Sequence, residues 1–387
     1  MRRAVFHVRE GPPVFERDSR KSEKSRSLLA FGKGDLRFQA GPRTFRKNRA
    51  SREYAASEAG SLKLRYESPV QLLLGTVPRI AFALSLFPVL AVAKIPQTCG
   101  PGVILKLSAP WSSQGGLLLL EVRSRKPLAE VTAEWNSKSV PFWQASAVAR
   151  PASSRVAGVD VRRTILGVDL EKPPGTYPLL VHIQTASGKP ESCTLQIPVR
   201  AGRFATERLH VEKEFVEPSS EQIKRANQER DKLRAIFDQV TPQKLWDGDF
   251  RIPLDGVTTG GNFGKRRVLN GQPGSPHSGV DFPSPTGTPI HAAQRGRVAL
   301  AQELFFSGNT VIVDHGLGIY TFYGHLSEID VKAGDEVESG QVLGKVGATG
   351  RVTGPHLHWG LTVERARVNP LQLVKLLGSK SHSDRGQ

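Results

Sequence analysis

The stretch Gly354-Pro355-His356-Leu357-His358-Trp359-Gly360, GPHLHWG, sets two of the chain's ten histidines one residue apart. In an extended strand residues i and i+2 project from one face, so His356 and His358 point the same way. A second stretch, PHSGVDF, holds His277 and Asp281 four apart, which also puts them on one strand face. A third, YTFYGHLS, centres on His325. Six of the ten histidines lie between positions 277 and 358 of 387, and that clustering asks for a chemical reason.

Two imidazoles and one carboxylate, with a fourth position left to water, form the ligand set of a catalytic zinc ion; a structural site closes with four protein ligands, commonly thiolates. The chain has only Cys99 and Cys193, and neither is near the histidines in sequence. Bound zinc lowers the pKa of its water toward ~7. A histidine beside the ligands can then take or return a proton, because its unperturbed pKa is near ~6.5. Either motif alone is common by chance. Taken together with His325, and with glycines that let backbones approach closely, they point to metal-assisted hydrolysis.

The segments NFGKR, HSGVDFPSPTGTPIHAAQRGRV and GNTVIVDHGLGIYTFYGHLSEIDVKAGDEVESGQVLGKVGATGRVTGPHLHWGL resemble the lysostaphin-like (LytM-type) zinc endopeptidases, which cut peptide bridges of bacterial peptidoglycan. The resemblance runs from about Phe250 to Pro370. It implies that His277, Asp281 and His358 hold one Zn2+ ion, that His356 is the general base, and that His325 helps stabilise the oxyanion. It gives His291 and His315 no metal role, and both are read as structural. Asn262 and Arg266 are expected to line the groove, and Tyr320 or Tyr323 to donate to the developing oxyanion. VKAGDEVESGQVLGKVG looks like the hairpin of biotinyl and lipoyl carriers but has no lysine at its turn, so it reads as scaffold.

Working outward, residues 94–203 show short runs of Val, Leu, Ile and Thr bounded by turn residues. Roughly seven strands fit an antiparallel sandwich of immunoglobulin type. Cys99 and Cys193 are candidates for a disulfide stapling its ends. Residues 204–248 read as a helical linker, with Ser219 and Gln222 spaced as a capping box. A β-rich peptidase domain follows over 249–374, then a disordered tail, 375–387. The fold class is mainly β.

The first 67 residues carry 17 Lys+Arg against 8 Asp+Glu, show no helical or strand period and read as disordered or as an untranslated extension. Residues 68–93 read as a signal peptide: Arg79 precedes an apolar run from Ile80 that closes on Ala91-Val92-Ala93. That run is too short, and too broken by Pro88, for a membrane anchor.

The expected protein is exported to the periplasm or cell envelope and meets the membrane only during export. Its partners are peptidoglycan stem peptides, and its remaining positive charge suits a polyanionic wall. Nucleic acid is disfavoured, because much of the net charge of +18 lies in the opening stretch. The competing classes are a non-catalytic wall-binding activator of an amidase, which would typically lack ligands, and a phosphocarrier domain, which would use two histidines without metal.

Overall fold

The computed structural model describes residues 97–145, 159–257 and 260–378. The expected extension and signal peptide lie outside these residues, as does most of the expected tail. The described residues fall in one compact unit.

Two five-stranded sheets come first. One runs in the order Gln97–Thr98, Val103–Leu107, Leu117–Ser124, Asp160–Gly167, Trp143–Gln144; the other in the order Ser112–Ser113, Glu191–Arg200, Gly175–Thr185, Leu128–Trp135, Lys138–Val140. Strand alternation sends Leu105, Leu120, Val122 and Leu166 of the first sheet inward to meet Leu179, Val181 and Ile197 of the second, all fully buried. This is a two-sheet sandwich, with short edge strands that the sequence runs do not resolve. All its pairings are antiparallel except Ser112–Ser113 with Glu191–Arg200, which is parallel. Cys99 and Cys193, 94 residues apart, form a disulfide with Cα atoms 5.8 Å apart. Closing a loop of that size restricts the unfolded chain by about 4–5 kcal/mol on the chain-entropy account.

The second body is a nine-stranded sheet. Its main path runs Gly279–Pro283, His356–Val363, Ile319–Ile329, Gly308–Asp314, Gly296–Leu304, Glu336–Val337. Val280, Phe282, Tyr323, Leu357, Trp359 and Leu361 cover one face and form a single core with Trp246, Phe250 and Leu254. The core therefore begins at Trp246, before the expected boundary at 249. At the other end the helix Pro370–Leu377 runs past the expected boundary at 374, so the first residues of the expected tail are helical.

The sandwich packs against this body without a spacer. Leu117 and Ile165 of the sandwich belong to the core of the second sheet. Asp169 accepts from Arg367 Nε at 3.0 Å and Nη2 at 2.7 Å, and the Leu117 N–H donates to Gln372 Oε1 at 3.0 Å. A Cβ on Gly167 would stand 2.9 Å from both the Ala366 Cβ and the Val363 carbonyl, so only glycine permits this approach.

The linker also packs. Its helix, Ser220–Asp238, starts at Ser219 with the capping box to Gln222 formed in both directions. Leu233, Ile236 and Phe237 lie on Leu300, Leu304, Ile312 and Tyr320. Upstream, Thr206–Leu209 pairs in parallel with Arg266–Leu269. The linker is thus part of the wall around the second sheet.

Candidate metal centre

Three adjacent strands build the site. Gly279–Pro283 pairs with His356–Val363 so that Asp281 stands opposite His358, and Ile319–Ile329 flanks the other side with Gly324 opposite His358. Opposed residues share a face, so Asp281, His358 and Gly324 point away from the Trp359 core. A Cβ on Gly279 would come within 2.6 Å of the Trp359 carbonyl and 2.7 Å of the His358 ring, which explains the glycine of HSGVD.

His277, Asp281 and His358 converge. His277 Nε2 is 2.9 Å from Asp281 Oδ1 and 2.9 Å from His358 Nδ1, and His358 Nδ1 is 2.8 Å from Asp281 Oδ1. Among the described residues this is the group of His, Cys, Asp and Glu side chains able to hold a metal ion. Further contacts fix the direction of His277 and Asp281. His277 Nδ1 meets the Asn262 carbonyl at 3.0 Å, which turns Nε2 toward the cluster. Asp281 Oδ2 accepts from Asn262 Nδ2 at 2.9 Å and Arg267 Nη2 at 3.0 Å, which turns Oδ1 inward. The Asp281 N–H in turn donates to Asn262 Oδ1 at 3.0 Å. Burial alone would raise the Asp281 carboxyl, but hydrogen bonds from His277 and His358 hold it far below the usual carboxylate range. Burial lowers the His358 ring despite the pull of Asp281. Two imidazole nitrogens and a carboxylate fit a divalent cation with a preference for nitrogen and oxygen donors.

Two further histidines stand beside the cluster. His356 Nε2 lies 3.7 Å from Asp281 Oδ1, while its Nδ1 donates to the Gly354 carbonyl at 2.8 Å. His325 follows Gly324, and simple alternation would turn it into the core. A register shift opposite it and a φ of +67° re-aim the ring, so that its centroid lies 4.8 Å from that of His356 and 5.9 Å from that of His358. Its Nδ1 donates to the Thr349 carbonyl at 2.8 Å. Burial, then the charges of His358 and His356, push its pKa down to about 3. With its Nδ1 committed to the Thr349 carbonyl, His325 has Nε2 as its remaining polar atom.

The other expectations divide. Asn262 is in the site, with φ +70°, a conformation Asn tolerates better than most residues. Arg266 is not: it is exposed, and strand alternation brings Arg267 to Asp281 in its place. Neither tyrosine reaches the site. Tyr323 projects from the opposite face, where its hydroxyl accepts from the Ala293 N–H at 2.8 Å, and burial raises its pKa to about 12. Tyr320 is covered by the linker helix and donates to the Gln239 carbonyl at 2.8 Å. His315 is fully buried, with Nδ1 donating to the Arg295 carbonyl at 2.8 Å and Nε2 2.7 Å from Thr321 Oγ1; burial pushes it down to about 4. His291 holds the Gly340 carbonyl at 2.9 Å. Arg267 and Arg351 are groove residues the sequence reading did not single out. Alternation within KRRVL carried the signal for the first, with its phase open, and nothing marked the second.

A sheet that converges two imidazoles and one carboxylate, with two more imidazoles alongside, defines a metallohydrolase type of centre. Residues 275–370 match peptidase family M23, so this part of the chain is a domain of that family. Over 98 residues it is 45% identical to peptidoglycan DD-endopeptidase ShyA of Vibrio cholerae, covering 25% of this chain and 23% of that protein. Over 122 residues it is 43% identical to peptidoglycan DD-endopeptidase ShyC of the same organism, covering 31% and 28%. The chain thus spans about a quarter of the length of these relatives. A solved M23-family chain from Pseudomonas aeruginosa is 30% identical, with 68% of this chain and 94% of that one covered and a TM-score of 0.48.

Proposed function

We propose that the chain is an exported zinc metalloendopeptidase that hydrolyses peptide cross-links of peptidoglycan. The observation that carries this is the convergence of His277 Nε2, Asp281 Oδ1 and His358 Nδ1 within 2.9 Å of one another, beside two imidazoles outside the cluster. Relatives named as peptidoglycan DD-endopeptidases support the substrate class. The apolar run ending at Ala93 and the Cys99–Cys193 disulfide support passage to an oxidising compartment, the periplasm or envelope.

When bound, zinc supplies Lewis acidity and lowers the pKa of a water molecule. The residues do the rest. Asn262 and Arg267 hold Asp281 so that one oxygen faces the cluster. His356, its Nδ1–H tied to Gly354, presents Nε2 as proton acceptor and returns the proton to the departing amine. His325, tied to Thr349, presents a second acceptor beside it and orients the attacking water.

Digestion of purified peptidoglycan by the zinc-loaded protein, followed by mass analysis of the fragments, tests the reading. Loss of peptide cross-links with glycan strands intact is expected. An unchanged cross-link profile, or glycan cleavage alone, would count against it.

A further inference from the structure

Two cavities meet beside the cluster. One, of about 350 Å³, reaches Asn262, Asp281 and His356 and is walled by Glu207 of the linker. The other, of about 300 Å³, reaches His277 and His358 and is walled by Phe237 of the linker helix. Arg267, His325 and Arg351 line both, so the two guanidiniums stand where the cavities join.

Their charges are unevenly met. Arg267 Nη2 is on Asp281 at 3.0 Å and its Nε is 3.8 Å from Glu207, yet that Nε is buried without a hydrogen-bond partner. Glu207 is held more closely by Lys265, at 2.7 Å. Arg351 is partly buried, lies 4.6 Å from the Phe306 ring centroid, and has no carboxylate partner among the described residues. Burial first, and the like charge of Arg267 second, push its pKa below the usual arginine value. Keeping such a cation in a cleft is unfavourable unless an anion joins it. A guanidinium fork matches a carboxylate in two-point geometry.

We propose that Arg351, with Arg267 beside it, binds a free carboxylate of the peptide substrate close to the bond being cut, so that the protein selects carboxylate-bearing cross-links over amidated ones. The inference deepens the peptidase reading and rests on it.

The test uses the full chain and cross-linked muropeptide dimers from purified peptidoglycan, native or with their carboxyls converted to amides. The wild type is expected to cut the native dimer about 10–100-fold more efficiently in kcat/KM, the size of a charge-assisted hydrogen-bond pair. Arg351→Gln should lose that factor on the native dimer and nothing on the amidated one, and Arg351→Lys should recover part of it. Calorimetric binding of the native dimer to metal-stripped protein should follow the same order without turnover. Equal loss on both dimers, or indifference of the wild type to amidation, overturns the proposal. If the wild type cuts neither dimer while its metal-stripped form binds the native one through Arg351, the carboxylate site stands and the peptidase reading fails. The amidation arm needs no variant, so a misfolded Arg351→Gln leaves the proposal open to refutation.

Discussion

Asp281 and His358 stand directly opposite each other on neighbouring antiparallel strands, with Oδ1 2.8 Å from Nδ1 across 77 residues of sequence. Register, not proximity along the chain, assembles the centre. A slip of one residue would send His358 into the core and bring Trp359 to the site. Whatever holds that register and the side-chain directions also shapes the candidate metal centre.

Asn262 is the first such support, since its side chain both donates to Asp281 Oδ2 and accepts from the Asp281 N–H. Asn262→Gly keeps the positive φ accessible and removes both bonds. Metal affinity should fall roughly 10–100-fold, as for other outer-shell partners. Competition with a chromophoric chelator measures it.

Gly279→Ala tests the register itself. The added methyl would meet the Trp359 carbonyl at 2.6 Å and the His358 ring at 2.7 Å. Overpacking of this kind costs about 1–3 kcal/mol. Urea unfolding should show that loss together with weakened metal binding, whereas Gly354→Ala, with nothing within 4 Å of its added Cβ, should leave stability nearly unchanged.

How much of this was legible in the sequence depends on the range of the interactions. HSGVD and HLH fix side-chain faces locally, and the capping box at Ser219 is a local contact too, so these could be read directly. That Arg267 rather than Arg266 faces the groove is not legible, because the phase of the short strand Arg266–Leu269 is set by its parallel pairing with Thr206–Leu209, in the linker. Tyr320 lies on the site side of the sheet but under the linker helix, whose thin apolar stripe gave no sign of where it would pack. His325 reaches the site only through a bulge, and no pattern of alternation reveals one.

His315 should impose a pH dependence on stability. Its folded pKa of about 4 lies below the ordinary 6.5, so between those values the unfolded chain binds more protons and stability falls with acidification. From pH 7.5 to 5 this group alone should remove about 2 kcal/mol. His315→Gln should be less stable at neutral pH but lose less on going to pH 5. Urea midpoints at the two pH values read the difference, and parallel slopes in both proteins would argue against the assignment.

The seam between the sandwich and the second sheet rests in part on Asp169 and Arg367. Burial opposes the Asp169 charge, and its hydrogen bonds from Arg367 overcome that and lower its pKa. This support is present above the unfolded pKa and is lost as pH falls through the lowered folded value. Because both side chains keep some solvent contact, the coupling in a double-mutant cycle of Asp169→Ala and Arg367→Ala should be about 1–2 kcal/mol. Thermal unfolding at neutral pH measures it, and a coupling near zero would mean the contact is incidental.

The central claim is that His277, Asp281 and His358 hold the ion and that His356 handles protons without holding it. Metal content per chain, measured by mass spectrometry after zinc loading and desalting, addresses this directly in the wild type, His358→Ala and His356→Ala. One zinc ion is expected in the wild type and in His356→Ala, the latter without turnover, and none in His358→Ala. Equal metal loss in the two variants, or a full complement in His358→Ala, would contradict the account.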